Sequence, residues 1–235
     1  MTPQHIPLYR RAAFQRVAGS AWRPGGPELT RHALALAALP AAARVLDVGC
    51  GAGASLDEVR AAGLRGVGLD AVCALPRLPA AHAPFVLGDG GHLPFRTAVF
   101  DAVLCECVLS LLADPAAAVR GVARVLRPKG YLLLTDMYVR GLRGGPADSG
   151  LTRQAGASCL AGAMPRAAVD AVLAQAGLRL HLFEDHSARL KELAARLIWY
   201  GGAELGAQDV LGAGTACGCG SSVRYGYGLW IAEKE

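Results

Sequence analysis

The sequence predicts an α/β fold, a doubly wound sheet with helices on both faces, and three observations carry that prediction. Short apolar runs alternate with helix-length amphipathic segments from Arg44 onward. Strands alternating with helices build a parallel sheet through right-handed crossovers. The runs are near-continuously apolar and end at glycine or aspartate, as in Arg44-Val45-Leu46-Asp47-Val48-Gly49, which suits strands buried on both faces. The chain has 235 residues, 53% of them hydrophobic and 18% charged, enough to close a full core in one domain with appendages.

Residues 1–43 read as an arm and a helix that form a cover, ahead of a main domain over 44–235. The arm holds Pro7-Leu8-Tyr9-Arg10, and Pro24-Gly25-Gly26-Pro27 makes a turn before a helix from Glu28 to about Leu39. Glu28 and Thr30 sit in its first turn, and Pro40 stops it. Arg44–Val48 is the first strand, Ala54–Ala62 a helix closed by Gly63, and Gly66–Asp70 the second strand. Phe85–Asp89 is the third strand and Phe100–Cys105 the fourth. Pro115–Leu126 is an amphipathic helix with Val119, Val122 and Leu126 on one side. The turn Arg127-Pro128-Lys129-Gly130 leads into a fifth strand, Tyr131–Asp136.

Between Val139 and Ala163 glycine is frequent and periodicity disappears, so 139–163 reads as a loop over the site. Pro165–Ala176 is a helix ending at Gly177, Leu178–Phe183 a strand, and Ala188–Tyr200 a helix. A glycine-rich stretch from Gly201 to Gly220 leads into the final strand, Val223–Ala232, whose alternating Tyr225, Tyr227, Leu229 and Ile231 suit a half-exposed sheet.

Composition excludes several classes. High apolar content and low charge density exclude disorder as the main state. The longest apolar stretch, Ala33–Ala43, is interrupted by Pro40 and falls short of the ~20 residues of a bilayer span. No membrane partner is therefore expected. No apolar core follows Arg10 and Arg11, so no secretory signal is visible. The seven cysteines are an odd number and read as thiols of a cytoplasmic protein, not as a disulfide framework. The net charge of +5 is scattered, without the basic stripe of a nucleic-acid binder.

The sharpest motif is Val45-Leu46-Asp47-Val48-Gly49-Cys50-Gly51-Ala52-Gly53. Glycines at alternate positions after a strand allow a tight turn and let backbone approach a ligand at a helix N-terminus. Such a loop alone serves dinucleotide and nucleoside cofactors alike. Asp47 before the glycines, and a third glycine two residues after the second, are foreign to the G-x-G-x-x-G dinucleotide fingerprint. Asp70 ends the next strand, where a carboxylate accepts from both ribose hydroxyls. Asp89 ends the third, placed to accept from an adenine amino group. Helix caps or surface acids are the plain alternative for each.

In order and spacing, Arg44–Asp136 resembles the class I S-adenosylmethionine-dependent methyltransferases. Val45–Gly53 is similar to the family's first motif, Asp70 to its ribose-binding acid, and Asp89-Gly90 to its adenine-binding pair. Phe100–Cys105 and Leu126–Tyr131 resemble its fourth and fifth strand motifs. The resemblance implies a Rossmann-like sheet of seven strands with the last antiparallel. It also implies S-adenosylmethionine as cofactor, held by Asp47, Gly49, Cys50, Gly51, Gly53, Asp70, Ala71, Asp89, Gly90 and Cys105, with Tyr9 folding over from the arm. The last two strands would then form the closing hairpin, with 187–222 an insertion in place of its usual short turn.

Cys105-Glu106-Cys107-Val108 stands where enzymes acting on nucleobase amines carry an Asn/Asp-Pro-Pro-aromatic signature. The resemblance is therefore to bacterial small-molecule methyltransferases, with a small-molecule acceptor implied. Three alternatives stand beside it: a thiol-dependent metalloid methyltransferase, a non-catalytic S-adenosylmethionine-binding protein, and a nicotinamide-dependent oxidoreductase that the glycine spacing disfavours.

The sulfonium brings its own activated methyl group, so the protein mainly aligns a nucleophile and excludes water. Where the acceptor carries a proton, Glu106, His92 and Asp136 are candidate bases near strand ends, with His186 farther away. A histidine after a strand is more often a surface or capping residue, and Tyr9 packs equally well on its own helix. Cys105 and Cys107 face one side if their strand persists. No metal is expected, the cysteines reading as separate structural thiols; a four-thiol cluster of Cys105 and Cys107 with Cys217 and Cys219, suited to a soft ion, is the alternative. The arm before Arg23 and 139–163 are expected to close together as a lid.

Overall fold

The computed structural model describes residues 8–72, 84–142, 158–201, 205 and 223–235. In chain order the helices are α1 (Ala12–Ala18), α2 (Gly26–Ala37), α3 (Ala54–Ala61), α4 (Pro115–Val125), α5 (Arg166–Gln175) and α6 (Ser187–Tyr200). The strands are β1 (Arg44–Val48), β2 (Arg65–Asp70), β3 (Phe85–Leu87), β4 (Phe100–Glu106), β5 (Leu126–Leu142), β6 (Met164–Pro165), β7 (Leu178–Asp185) and β8 (Val223–Lys234). They make one sheet in the order β3-β2-β1-β4-β5-β8-β7, with β6 on β5 beside that path.

β1 to β5 pair in parallel, and β8 runs antiparallel between β5 and β7. This is the expected doubly wound sheet with its last strand reversed. The eighth strand, β6, is a two-residue addition that pairs with Tyr138 and Val139.

Alternation of side chains across the sheet builds two cores. Leu46, Val103, Leu132, Leu134 and Trp230 go to the face covered by α4 and α5. Val45, Leu104, Leu133, Leu229 and Ile231 go to the face covered by α2 and α3. A third cluster joins Phe14 and Val17 of α1 to Leu193 and Leu197 of α6. Asp114 caps α4 by accepting from the Ala117 N–H at 2.9 Å, and Pro115 opens its first turn, where a missing N–H costs nothing.

Several segments differ from their sequence reading: Arg127–Gly130, read as a turn, lies inside β5, and the third strand ends at Leu87 and not at Asp89. Val139–Leu142 is not loop but the end of β5, paired with Tyr225, Arg224 and Val223. Backbone pairing with β8 determines strand here, where no local periodicity marks it. Residues 143–157 lie outside the described residues, as does most of the glycine-rich stretch before β8. β8 itself is not half-exposed: every residue from Gly226 to Glu233 is buried. A Cβ at Gly228 would come within 2.7 Å of the Phe183 and Trp230 rings, and one at Gly226 within 2.5 Å of Tyr138. The apolar–glycine alternation is large side chains packed against small ones, not a wet face against a dry one.

Candidate active site

The loop after β1 turns on glycine. Gly49 has φ +74° and Gly51 φ +51°, left-handed values that side chains disfavour. At Gly49 space is closed as well, since a Cβ would fall 2.2 Å from Val108 Cγ2. The N–H groups of Gly49 and Cys50 both donate to the Leu69 carbonyl, at 2.7 and 3.1 Å, pinning the loop to β2. The Gly51 N–H donates to Asp70 Oδ2 and the Val72 N–H to Asp70 Oδ1, each at 2.9 Å. The carboxylate at the end of β2 is thereby held open towards the loop, and each oxygen keeps acceptor capacity for a diol. Ala71, next along, is exposed.

Beneath the loop lies a buried polar cluster. Arg23, from the segment before α2, places Nη2 2.9 Å from Glu106 Oε2 at the end of β4, both side chains 4% exposed. The same Nη2 donates to Ser55 Oγ at 3.2 Å and to Thr30 Oγ1. Thr30 Oγ1 donates to Glu106 Oε1 at 3.0 Å, and Ser55 Oγ to Glu106 Oε2 at 2.5 Å. Burial works against the Arg23 charge, but Glu106, Tyr227 and Asp47 raise its pKa. Glu106 is thus saturated by partners that tie the N-terminal segment, α2 and α3 to β4.

Asp47, in the same neighbourhood, is fully buried, and its pKa is pushed up to about 8, first by burial and then by Glu106, against the pull of Arg23. Among the described residues its Oδ2 has no hydrogen-bond partner, and neither has Arg23 Nε. Buried orphans of this kind are costly and call for an explanation.

The remaining sequence candidates scatter. Asp89 is exposed and accepts from the Gly91 N–H at 2.8 Å, with His92 Nδ1 at 3.2 Å from its other oxygen. Those hydrogen bonds lower its pKa. His92 is therefore Asp89's neighbour on the surface. Gly90 is buried, with 3.0 Å between a Cβ there and Val48 Cγ1. Asp136 is buried within β5, accepting from Ser110 N–H at 2.9 Å and Ser110 Oγ at 2.6 Å. Burial pushes it up to about 6 against those bonds. Tyr9 packs into the α1–α6 cluster.

Cys50 and Cys105 are buried thiols whose pKa values burial raises. Cys105 and Cys107 do not face one side: Cys105 belongs to the α4–α5 face and Cys107 to the opposite one. β4 stops at Glu106, and Cys107 takes a left-handed φ of +59°, which turns its side chain away from the strand's alternation. It sits among Asp136, Cys159 and Tyr227, which act on its pKa together with burial. Cys217 and Cys219 lie outside the described residues.

Sequence reasoning missed Trp22, Arg23, Thr30, Ser55 and Ser110. Trp22, held at φ +48°, is the side chain that a Cβ on Gly51 would meet, at 3.7 Å. The Trp22-Arg23 pair before Pro24-Gly25-Gly26-Pro27 was the available signal, an aromatic and a cation fixed ahead of a rigid turn.

Comparison with known proteins bears on the family and the fold. Residues 46–134 match the methyltransferase domain family. The chain is 30% identical over 218 residues to the ubiquinone biosynthesis O-methyltransferase of Xanthomonas oryzae pv. oryzae, covering 85% of this chain and 81% of that one. To the protein of the same description from Xanthomonas axonopodis pv. citri it is 31% identical over 143 residues, and it spans 59% of that relative's length. Among solved structures, the [4+2]-cyclase SpnF superposes with a TM-score of 0.70 at 23% identity, over 94% of this chain and 92% of that one. That likeness concerns the fold, since one fold hosts different chemistries.

Proposed function

Because this chain belongs to the class I S-adenosylmethionine-dependent methyltransferases, we propose that it moves the methyl group of S-adenosylmethionine to a small-molecule acceptor. The observation that carries the reading is the orphaned Asp47 carboxylate beneath an open glycine loop. A buried carboxylate without a donor suits a cationic ligand group, and the amino group of the cofactor's methionine part supplies one. The room at Gly51, bordered among the described residues by the Trp22 ring, suits the same ligand. When bound, the sulfonium supplies an activated methyl.

The chain's own residues then divide the work. Asp70, oriented by two backbone N–H groups, accepts from the ribose hydroxyls, and Asp89 with Gly90 borders the adenine. Gly49, Gly51 and Gly53 bring backbone against the ligand, with Cys50 and Cys105 packed behind. Glu106 does not serve as base in this reading, because Arg23, Thr30 and Ser55 consume its oxygens. The same holds for Asp136, whose oxygens accept from the Ser110 N–H and Oγ and from the Met137 N–H, so neither acid is assigned as base. The O-methyltransferase description of the Xanthomonas relatives makes hydroxyl acceptors the first to try. No described helix is long and apolar enough to cross a membrane, and free thiols at all four described cysteines fit a cytoplasmic setting.

The test is incubation with methyl-labelled cofactor and a panel of small hydroxylated aromatics, with the product identified by mass. Labelled product is expected, and Asp70→Ala should weaken cofactor binding by about 1–3 kcal/mol, the worth of a charge-assisted hydrogen bond. Binding of the cofactor with no transfer to any small molecule, acid extracts of cells included, would favour the non-catalytic reading instead.

A further inference from the structure

Away from that cluster, three side chains from distant segments converge on one point. His32 stands on the outer side of α2, Glu184 near the end of β7, and His186 at the entry to α6. The Nε2 atoms of His32 and His186 each lie 2.8 Å from the same atom, Glu184 Oε2. All three ligand atoms lie within 4.8 Å of one another. The two rings meet edge to face, with centroids 5.9 Å apart. His32 and Glu184 are 152 residues apart in sequence, so only the fold assembles the group.

Hydrogen bonding alone accounts for the contacts if both rings carry their proton on Nε2. The convergence asks for more. Two imidazole nitrogens pointed at a single carboxylate oxygen surround a point in space, and two imidazoles with one carboxylate are the donor set that zinc and its neighbours in the first transition row prefer. The His32 side chain is 44% exposed, which leaves the outer side open to water as a fourth ligand.

We propose that His32, Glu184 and His186 form a binding site for a zinc-class divalent ion that fastens α2 to the C-terminal part of the sheet. α2 also carries Thr30, one of the partners of Glu106. The ion therefore holds in place the helix that closes the buried Arg23–Glu106 cluster. The proposal stands on these three residues and does not depend on the cofactor reading.

Cobalt titration of the full chain tests it, since the seven cysteines offer thiolate sites that cobalt spectra separate from nitrogen–oxygen sites. One equivalent should bind with visible bands of nitrogen and oxygen ligation and no thiolate charge-transfer band. Zinc should shift two histidine ring systems in long-range proton–nitrogen spectra, and should raise Tm, as any ligand of the native state does. His32→Gln and Glu184→Gln keep hydrogen-bonding capacity but remove a ligand. Each should lose the cobalt bands and the zinc-dependent rise in Tm while the metal-free far-ultraviolet spectrum stays unchanged. No stoichiometric uptake, uptake with thiolate bands only, or uptake indifferent to both variants would each overturn the site.

Discussion

Asp47 shows how one residue's surroundings make a measurable signature. Its carboxyl is pushed from 3.8 to about 8, chiefly by burial, so at pH 7 the folded protein holds it mostly protonated. A carboxyl raised in the fold favours its neutral form. Its contribution to stability is therefore full below about pH 4 and is lost as pH rises through about 8. A cation placed beside Oδ2 reverses the preference and drives ionisation. Binding of S-adenosylhomocysteine at pH 7 is thus expected to release close to one proton, read by calorimetry in two buffers of different ionisation enthalpy. Asp47→Asn should bind with no release from this position. Wild-type binding without proton release would remove Asp47 from the ligand's contacts.

At the scale of elements, the Arg23–Glu106 pair joins the segment before α2 to the end of β4, with Thr30 and Ser55 as cross-braces from α2 and α3. Removing one partner of a buried pair leaves an uncompensated charge, at a cost of about 3–5 kcal/mol. Arg23→Met should show that loss in urea unfolding, whereas Arg23→Met with Glu106→Leu should recover a good part of it. Equal losses in the single and double variants would mean the pair does not brace the arm. Element boundaries were mostly legible in the sequence because caps and breakers act locally: Arg44–Val48 and the start of α4 at Pro115 agree with the pattern. The far end of β5 and the environment of β8 were not, because strand pairing there joins residues far apart in sequence, such as Val139 and Tyr225.

For the molecule as a whole, protection should follow position in the sheet. β1, β4, β5 and β8 are paired on both edges and covered on both faces. β3 is a three-residue edge strand with Leu87 64% exposed, and α1 rests on the small cluster it shares with α6. Native-state hydrogen exchange is therefore expected to be slowest in β4, β5 and β8 and fastest in β3 and α1. Exchange of β8 as fast as that of β3 would contradict its central placement.

The sequence by itself determined what short-range physics controls: the alternation of strands and helices, the glycine loop at Gly49–Gly53, and the acids that end β1, β2 and the segment after β3. These follow from backbone freedom, periodicity and capping within a few residues of one another. Only the tertiary structure decided which polar groups would meet. Glu106 read as a free base near a strand end, yet the fold delivers Arg23 to it and takes it out of use. Cys107 read as Cys105's companion, yet the end of β4 turns it to the other face. Asp47 was a motif letter until burial left one of its oxygens without a donor, and His32 had no meaning apart from Glu184 and His186. The physical reason is common to all four: charge state and ligation depend on atoms within a few ångströms, and the chain brings those atoms from segments that local pattern does not connect.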